Sequence, residues 1–178
     1  MTEISMNLLG ISGSLRRDSF NTALVRAAAE AFAPDSFTLA DLNLPLYSGD
    51  VEAEGIPGPV RALDAQIRAA DAVIISTPEY NRGLSGVLKN ALDWTSRITP
   101  MALNGKPVAI MSATAGRSGG ERTQMSLRYC LVAFDPRLLQ LPEVLVGGAQ
   151  GAFREGKLVD EMALGLVAKQ MAALRAMI

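Results

Sequence analysis

Met6-Asn7-Leu8-Leu9-Gly10-Ile11-Ser12-Gly13-Ser14-Leu15-Arg16-Arg17-Asp18-Ser19-Phe20-Asn21 runs from an apolar segment, through a small polar turn with two cations, into a helix-like stretch. Met6 to Ile11 reads as a buried first strand. Leu24, Ala28, Ala31 and Phe32 recur at helical spacing, so Asn21 to Phe32 reads as a helix. The turn offers Ser12, Ser14, Ser19 and Asn21 as hydrogen-bond donors and Arg16 and Arg17 as cations, and Asn21 suits a helix N-cap. Unpaired N–H groups and partial positive charge at a helix N-terminus favour an anion. The turn has neither the Gly-Lys-[Ser/Thr] of a Walker loop nor G-x-G-x-x-G, so it predicts one terminal phosphate rather than a nucleoside triphosphate or a Rossmann-bound dinucleotide.

The same alternation continues outward. Phe37 and Leu39 mark a short second strand, Leu44 to Gly58 a loop, and Val60, Leu63, Ile67 and Ala70 a helix. Ala72-Val73-Ile74-Ile75-Ser76 is a continuous apolar run, as inside a parallel sheet. A helix follows from Leu84 to Trp94, a fourth strand at Pro107 to Ser112, and a helix from the Gly116–Gly120 loop to about Phe134. Leu138 to Val146 reads as a fifth strand and Asp160 to Met177 as a final helix. Five β–α units predict one doubly wound α/β domain over residues 1–178, with a parallel sheet and ligands at the carboxyl ends of its strands.

Composition narrows the chemistry. Among 178 residues, 49% are apolar, 20% are charged and the formal net charge is −1, so nothing recruits nucleic acid. Histidine is absent and there is one cysteine, Cys130, in an apolar stretch that predicts packing rather than reactivity. No metal site and no histidine-based catalysis are expected. Met1–Ser5 has an acid and no basic cluster, so no signal peptide is expected, and no run approaches the roughly 20 apolar residues that span a bilayer. A cytoplasmic protein without membrane partners is the expectation.

The loop after the third strand, Thr77 to Ser85, lacks bulky aliphatic residues apart from Leu84. Pro78 stiffens it, and Gly83 and Gly86 permit close backbone approach. Amides around Glu79, Tyr80 and Asn81 suit the polar edge of a flat ring, and Tyr80 a place beside that ring or an incoming acceptor. The loop after the fourth strand, Ala113 to Gly120, is small enough to wall the other side. Arg97 and Arg117 are candidates for nucleotide phosphates.

Gly13-Ser14-Leu15-Arg16, Ser19-Phe20-Asn21, Pro78-Glu79-Tyr80-Asn81 and Leu88-Lys89-Asn90-Ala91-Leu92-Asp93-Trp94 together resemble the NADPH-dependent FMN reductase family, the flavodoxin-like group with bacterial chromate, quinone and azo-dye reductases. The resemblance spans nearly the whole chain. It implies non-covalent FMN, strand order 2-1-3-4-5, and a homodimer or homotetramer with flavin near the subunit interface. It places the phosphate on Ser14, Arg16, Ser19 and Asn21, with Ser12 and Phe20 nearby. It places the ring against Pro78, Glu79, Tyr80 and Asn81, with Ser112, Thr114 and Gly116 beyond. Arg82 departs from the small residue many members have there.

The expected activity is FMN-dependent electron transfer from NADPH or NADH to a small-molecule acceptor such as a quinone, chromate, an azo dye or a ferric chelate. The flavin carries the chemistry, and no catalytic side chain is expected. The alternatives are a flavodoxin-type electron carrier, disfavoured by the near-neutral charge, a reductase that releases reduced FMN, and an interaction protein that has lost the flavin.

Overall fold

The computed structural model describes residues 5–178, so the stretch read for a targeting signal lies, up to residue 4, outside the described residues. Strands β1 (Asn7–Ser12), β2 (Ser36–Leu39), β3 (Ala72–Ser76) and β4 (Pro107–Ala113) alternate with helices α1 (Phe20–Phe32), α2 (Gly49–Ala53), α3 (Gly58–Ala69) and α4 (Gly86–Thr95). Helix α5 (Glu121–Leu131) ends in a 3-10 turn at Val132–Phe134. Then come β5 (Arg137–Leu138), β6 (Val144–Val146), α6 (Ala149–Ala152), the hairpin β7 (Phe153–Arg154) and β8 (Lys157–Leu158), and α7 (Glu161–Arg175). The main sheet is parallel throughout, in the order β2-β1-β3-β4-β5, with β6 also on β4. Its strand order is the one the family resemblance implies.

Side-chain alternation explains the two layers. Leu8, Ile74, Ala109 and Met111 face α1 and α7, whereas Leu9, Val73, Ile75, Val108 and Ile110 face α3, α4 and α5. Helix α1 lies close on β1 because Gly10 has no side chain: a Cβ there would sit 2.4 Å from Val25 Cγ1 and 2.8 Å from the Phe37 ring. Each large aliphatic residue buried here contributes about 1.5–3 kcal/mol.

Three readings are corrected. The fifth strand is two short pieces with Leu139–Glu143 between them, since Pro142 cannot donate to a ladder. The Leu44–Gly58 loop contains α2, capped by Ser48. The N-cap of α1 is Ser19, not Asn21: Ser19 Oγ accepts from the Thr22 N–H at 3.3 Å.

The Leu88–Trp94 motif fastens the loop after β2. Asn90 accepts from the Tyr47 N–H at 2.8 Å and donates to the Pro45 carbonyl at 2.9 Å, which also takes Trp94 Nε1–H at 2.7 Å. The Tyr47 ring stands edge-on to Trp94 at 5.0 Å. Arg97 pairs with Glu52 at 3.4 Å beside Tyr47, and the Glu52 hydrogen bond and burial hold the Tyr47 phenol above its ordinary pKa. Arg97 therefore serves this strap. Among the described residues no helix is long and apolar enough to cross a membrane.

Candidate functional site

The strand order reverses between β1 and β3, and there the carboxyl ends of β1, β3 and β4 lie side by side. Open α/β sheets bind ligands at such a reversal. Three loops leave this edge and surround a cavity of about 340 Å³, within the range of small-molecule sites.

The β1–α1 loop forms one wall through Ser14, Arg16, Ser19, Phe20 and Asn21. Its first residue anchors it, since the Gly13 N–H donates to the Ser76 carbonyl at 2.8 Å. A Cβ on Gly13 would lie 2.9 Å from both Thr77 Oγ1 and Ser85 Oγ, so only glycine lets the loop approach this closely. Ser14 Oγ accepts from the Arg16 N–H at 3.3 Å. Ser14 and Ser19 thus act as acceptors within the protein, and these bonds leave both hydroxyl protons unspent. The Arg16 guanidinium bonds the Asp18 carbonyl and lies 5.2 Å from the Phe20 ring centre. The first turn of α1 has no acidic residue, and its N–H groups have no preceding helical carbonyls.

Asn21 has a structural task at the cavity floor. It is 3% exposed, donates to the Ala113 carbonyl at 3.0 Å, and accepts from the Ala113 N–H at 3.0 Å and Ser76 Oγ–H at 2.8 Å. One amide therefore joins α1 to the ends of β3 and β4. Ser12 lies behind the wall, where it accepts from Thr22 Oγ1–H at 2.8 Å.

The β3–α4 loop contributes Pro78, Glu79 and Tyr80. Glu79 is braced by α5: its Oε2 accepts from the Thr123 N–H at 3.3 Å, and Oε1 lies 3.6 Å from Arg122. The N-cap of α5 is Gly120, which has no side chain to cap it, so Glu79 caps this N-terminus from the neighbouring loop and adds its charge to that of Glu121 in the first turn. The Pro78 carbonyl accepts from Thr123 Oγ1–H at 3.1 Å. Beyond it, Tyr80 and Gly83 exchange backbone hydrogen bonds at 3.1 and 3.0 Å around Asn81 (φ 51°) and Arg82 (φ 66°). Two left-handed central residues make a type I′ turn, which suits Asn at the first position and Gly at the second. Arg82 in that second place costs about 1–2 kcal/mol. The Tyr80 N–H is committed to this turn, and its side chain is 58% exposed at the rim.

The third wall is Ala113, Thr114 and Ala115, with Gln150 from α6. Ser112 lies beneath it, fully buried, donating to the Gly119 carbonyl at 2.6 Å and accepting from Gln124 Nε2–H at 2.9 Å. The Gly116 carbonyl takes the Gly148 N–H at 3.1 Å, tying the loop to the start of α6. The fold thus brings nine of the anticipated residues around one cavity: Ser14, Arg16, Ser19, Phe20, Asn21, Pro78, Glu79, Tyr80 and Thr114. Ser12, Asn81, Ser112 and Gly116 stand behind or beside it. Gln150 was missed, although it too follows a strand carboxyl end. A larger cavity of about 410 Å³ lies between α1 and the β7–β8 hairpin, but Asp18 and Glu155 line it beside Arg17 and Arg26, and it lacks the three-loop convergence.

A parallel sheet in this order, with a phosphate-ready first loop at the strand reversal, defines a flavodoxin-like mononucleotide-binding protein. Residues 6–151 match the NADPH-dependent FMN reductase family, and the chain belongs to it. It is 47% identical to an NAD(P)H-dependent FMN reductase of Pseudomonas aeruginosa over 96% of this chain and 94% of that one. It is 39% identical to a quinone reductase of Escherichia coli over 94% and 93%. The solved structure of FerB, a flavoenzyme NAD(P)H:(acceptor) oxidoreductase from Paracoccus denitrificans, superposes with a TM-score of 0.85 at 29% identity, covering 96% of each chain.

Proposed function

We propose that this protein is an FMN-dependent NAD(P)H oxidoreductase that passes electrons to quinones and other small oxidants. The carrying observation is the convergence of a helix whose first turn has no acid, two serine hydroxyls and Arg16 on the cavity that the β3–α4 loop walls. These groups fit FMN in kind: cations and donors for its phosphate, backbone and small residues for its ring. When bound, FMN supplies the hydride-accepting and electron-donating chemistry.

The residues here bind and orient. Ser14, Ser19, Arg16 and the first N–H groups of α1 hold the phosphate, with Asn21 and Ser12 fixing the wall behind them. Pro78, Glu79 and Tyr80 form a braced wall for the ring with Asn81 beside them, and Thr114 and Gly116 close the opposite side above Ser112. Glu79 is held by α5 and positions its loop rather than moving a proton. Residues 1–178 act as one FMN-binding unit, and use of a nicotinamide nucleotide supports a cytoplasmic setting. Chromate, azo dyes and ferric chelates are further acceptors for trial.

A homodimer completes the reading. The inner face of α5 is buried through Thr123, Gln124, Leu127 and Leu131, whereas Met125, Tyr129 and the following Val132 are 62%, 81% and 76% exposed. An apolar stripe at i, i+4 and i+7, on the helix that braces Glu79, suits the same helix of a second copy. Tyr129→Glu should shift the particle mass to a monomer in size-exclusion light scattering; an unchanged mass would place the interface elsewhere.

The principal test is purification with visible flavin absorbance, followed by anaerobic reduction with NADPH and NADH and reoxidation by a quinone. Rapid NAD(P)H turnover with quinone separates an enzyme from an electron carrier. A preparation that stays colourless in excess FMN would end the proposal.

A further inference from the structure

Arg82 occupies a backbone position that favours glycine. It is the second central residue of the Tyr80–Gly83 turn, at φ 66°, where a residue with a Cβ is strained. Glycine would remove that strain, yet the position carries a long guanidinium side chain exposed to solvent. The turn also fixes its location. Its first residue, Tyr80, lines the cavity, and Arg82 follows two residues later in the same turn.

The neighbouring charges sharpen the case. Glu79, the carboxylate of this loop, is taken by Arg122 and the Thr123 amide. No carboxylate among the described residues pairs with Arg82, which is exposed to solvent two residues along the chain from the cavity-lining Tyr80.

We infer that Arg82 is a binding-specificity residue for the reducing nucleotide, holding its pyrophosphate while the nicotinamide ring enters beside Tyr80. The inference rests on the reductase reading above. It favours the nucleotide over a quinone on charge: NADH and NADPH both carry a pyrophosphate, whereas a simple quinone is neutral. The 2′-phosphate of NADPH adds charge in the same field.

The test uses the FMN-loaded protein and its Arg82→Gly and Arg82→Lys variants. Anaerobic stopped-flow reduction gives a nucleotide dissociation constant and a limiting rate for each. Loss of a charge-assisted contact should raise the dissociation constant about tenfold for Arg82→Gly, with the limiting rate little changed and lysine restoring part of the affinity. Added salt should weaken nucleotide binding to the parent more than to Arg82→Gly. Thermal unfolding reports on folding directly, and glycine should hold or raise the midpoint. An unchanged dissociation constant in Arg82→Gly would overturn the inference alone, and so would an effect confined to reoxidation by a neutral quinone. A parent protein whose FMN neither nucleotide reduces would overturn the reductase reading together with this inference.

Discussion

The β1–α1 and β3–α4 loops face each other across one cavity, but they use their polar groups in opposite ways. The first leaves them uncommitted: Ser14 and Ser19 accept from backbone N–H groups and retain their own protons, and the first turn of α1 carries no acid. The second commits them to the protein: Glu79 and the Pro78 carbonyl go to α5, and the Tyr80 N–H to Gly83. One wall is chemically available and the other mechanically braced. A binding loop thus offers either spare hydrogen bonds or a rigid surface, and this cavity needs one of each.

The contrast breaks first at Ser14. Ser14→Asp puts a carboxylate where the phosphate is proposed to sit, and two like unit charges 4 Å apart near a protein surface repel by about 4 kcal/mol. FMN affinity should fall on the order of 10³-fold, measured by titrating apoprotein with flavin. Affinity within about tenfold of the parent would move the phosphate elsewhere.

Asn21→Leu comes next, because it cuts the tie between the two walls. It leaves the Ala113 N–H and carbonyl and the Ser76 hydroxyl unpaired. Buried orphans cost about 1–3 kcal/mol each, so the apoprotein should lose roughly 3 kcal/mol or more in urea unfolding. A loss below about 1 kcal/mol would mean that the clamp is dispensable.

The smallest effect belongs to Glu79→Gln. An amide oxygen can still accept from Thr123, so stability should drop by less than about 1 kcal/mol. The limiting rate of flavin reduction should stay within about twofold. General acid–base catalysis contributes about 10²–10⁴-fold, so a loss of that size would give Glu79 a proton-transfer role and erase the distinction between the loops.

Much of this was legible before any coordinates. Apolar runs at β1, β3 and β4 and helical stripes at α1, α3 and α7 are local patterns, and the sheet follows from their alternation. The β1–α1 loop was equally readable because its serines and arginine point to an anion with little reference to the rest of the chain. What stayed hidden depends on distant partners. Nothing local assigns the Glu79 carboxylate a partner until α5 is placed beside it, 44 residues along the chain. Asn21 reads as a cap until Ala113, 92 residues away, comes into reach. The apolar stretch from Leu138 to Val146 suggests one strand, since its interruption is a matter of hydrogen-bond register rather than hydropathy.

That broken outer strand bears on how the chain behaves at high concentration. β5 offers two residues and β6 three, separated by a segment containing Pro142, and the opposite border, β2, is only four residues long. Neither margin presents a long ladder of free amides and carbonyls on which a stray chain could crystallise into a fibre. The protein can therefore reach high concentration, even before its cofactor arrives, without its own sheet acting as a seed for precipitation.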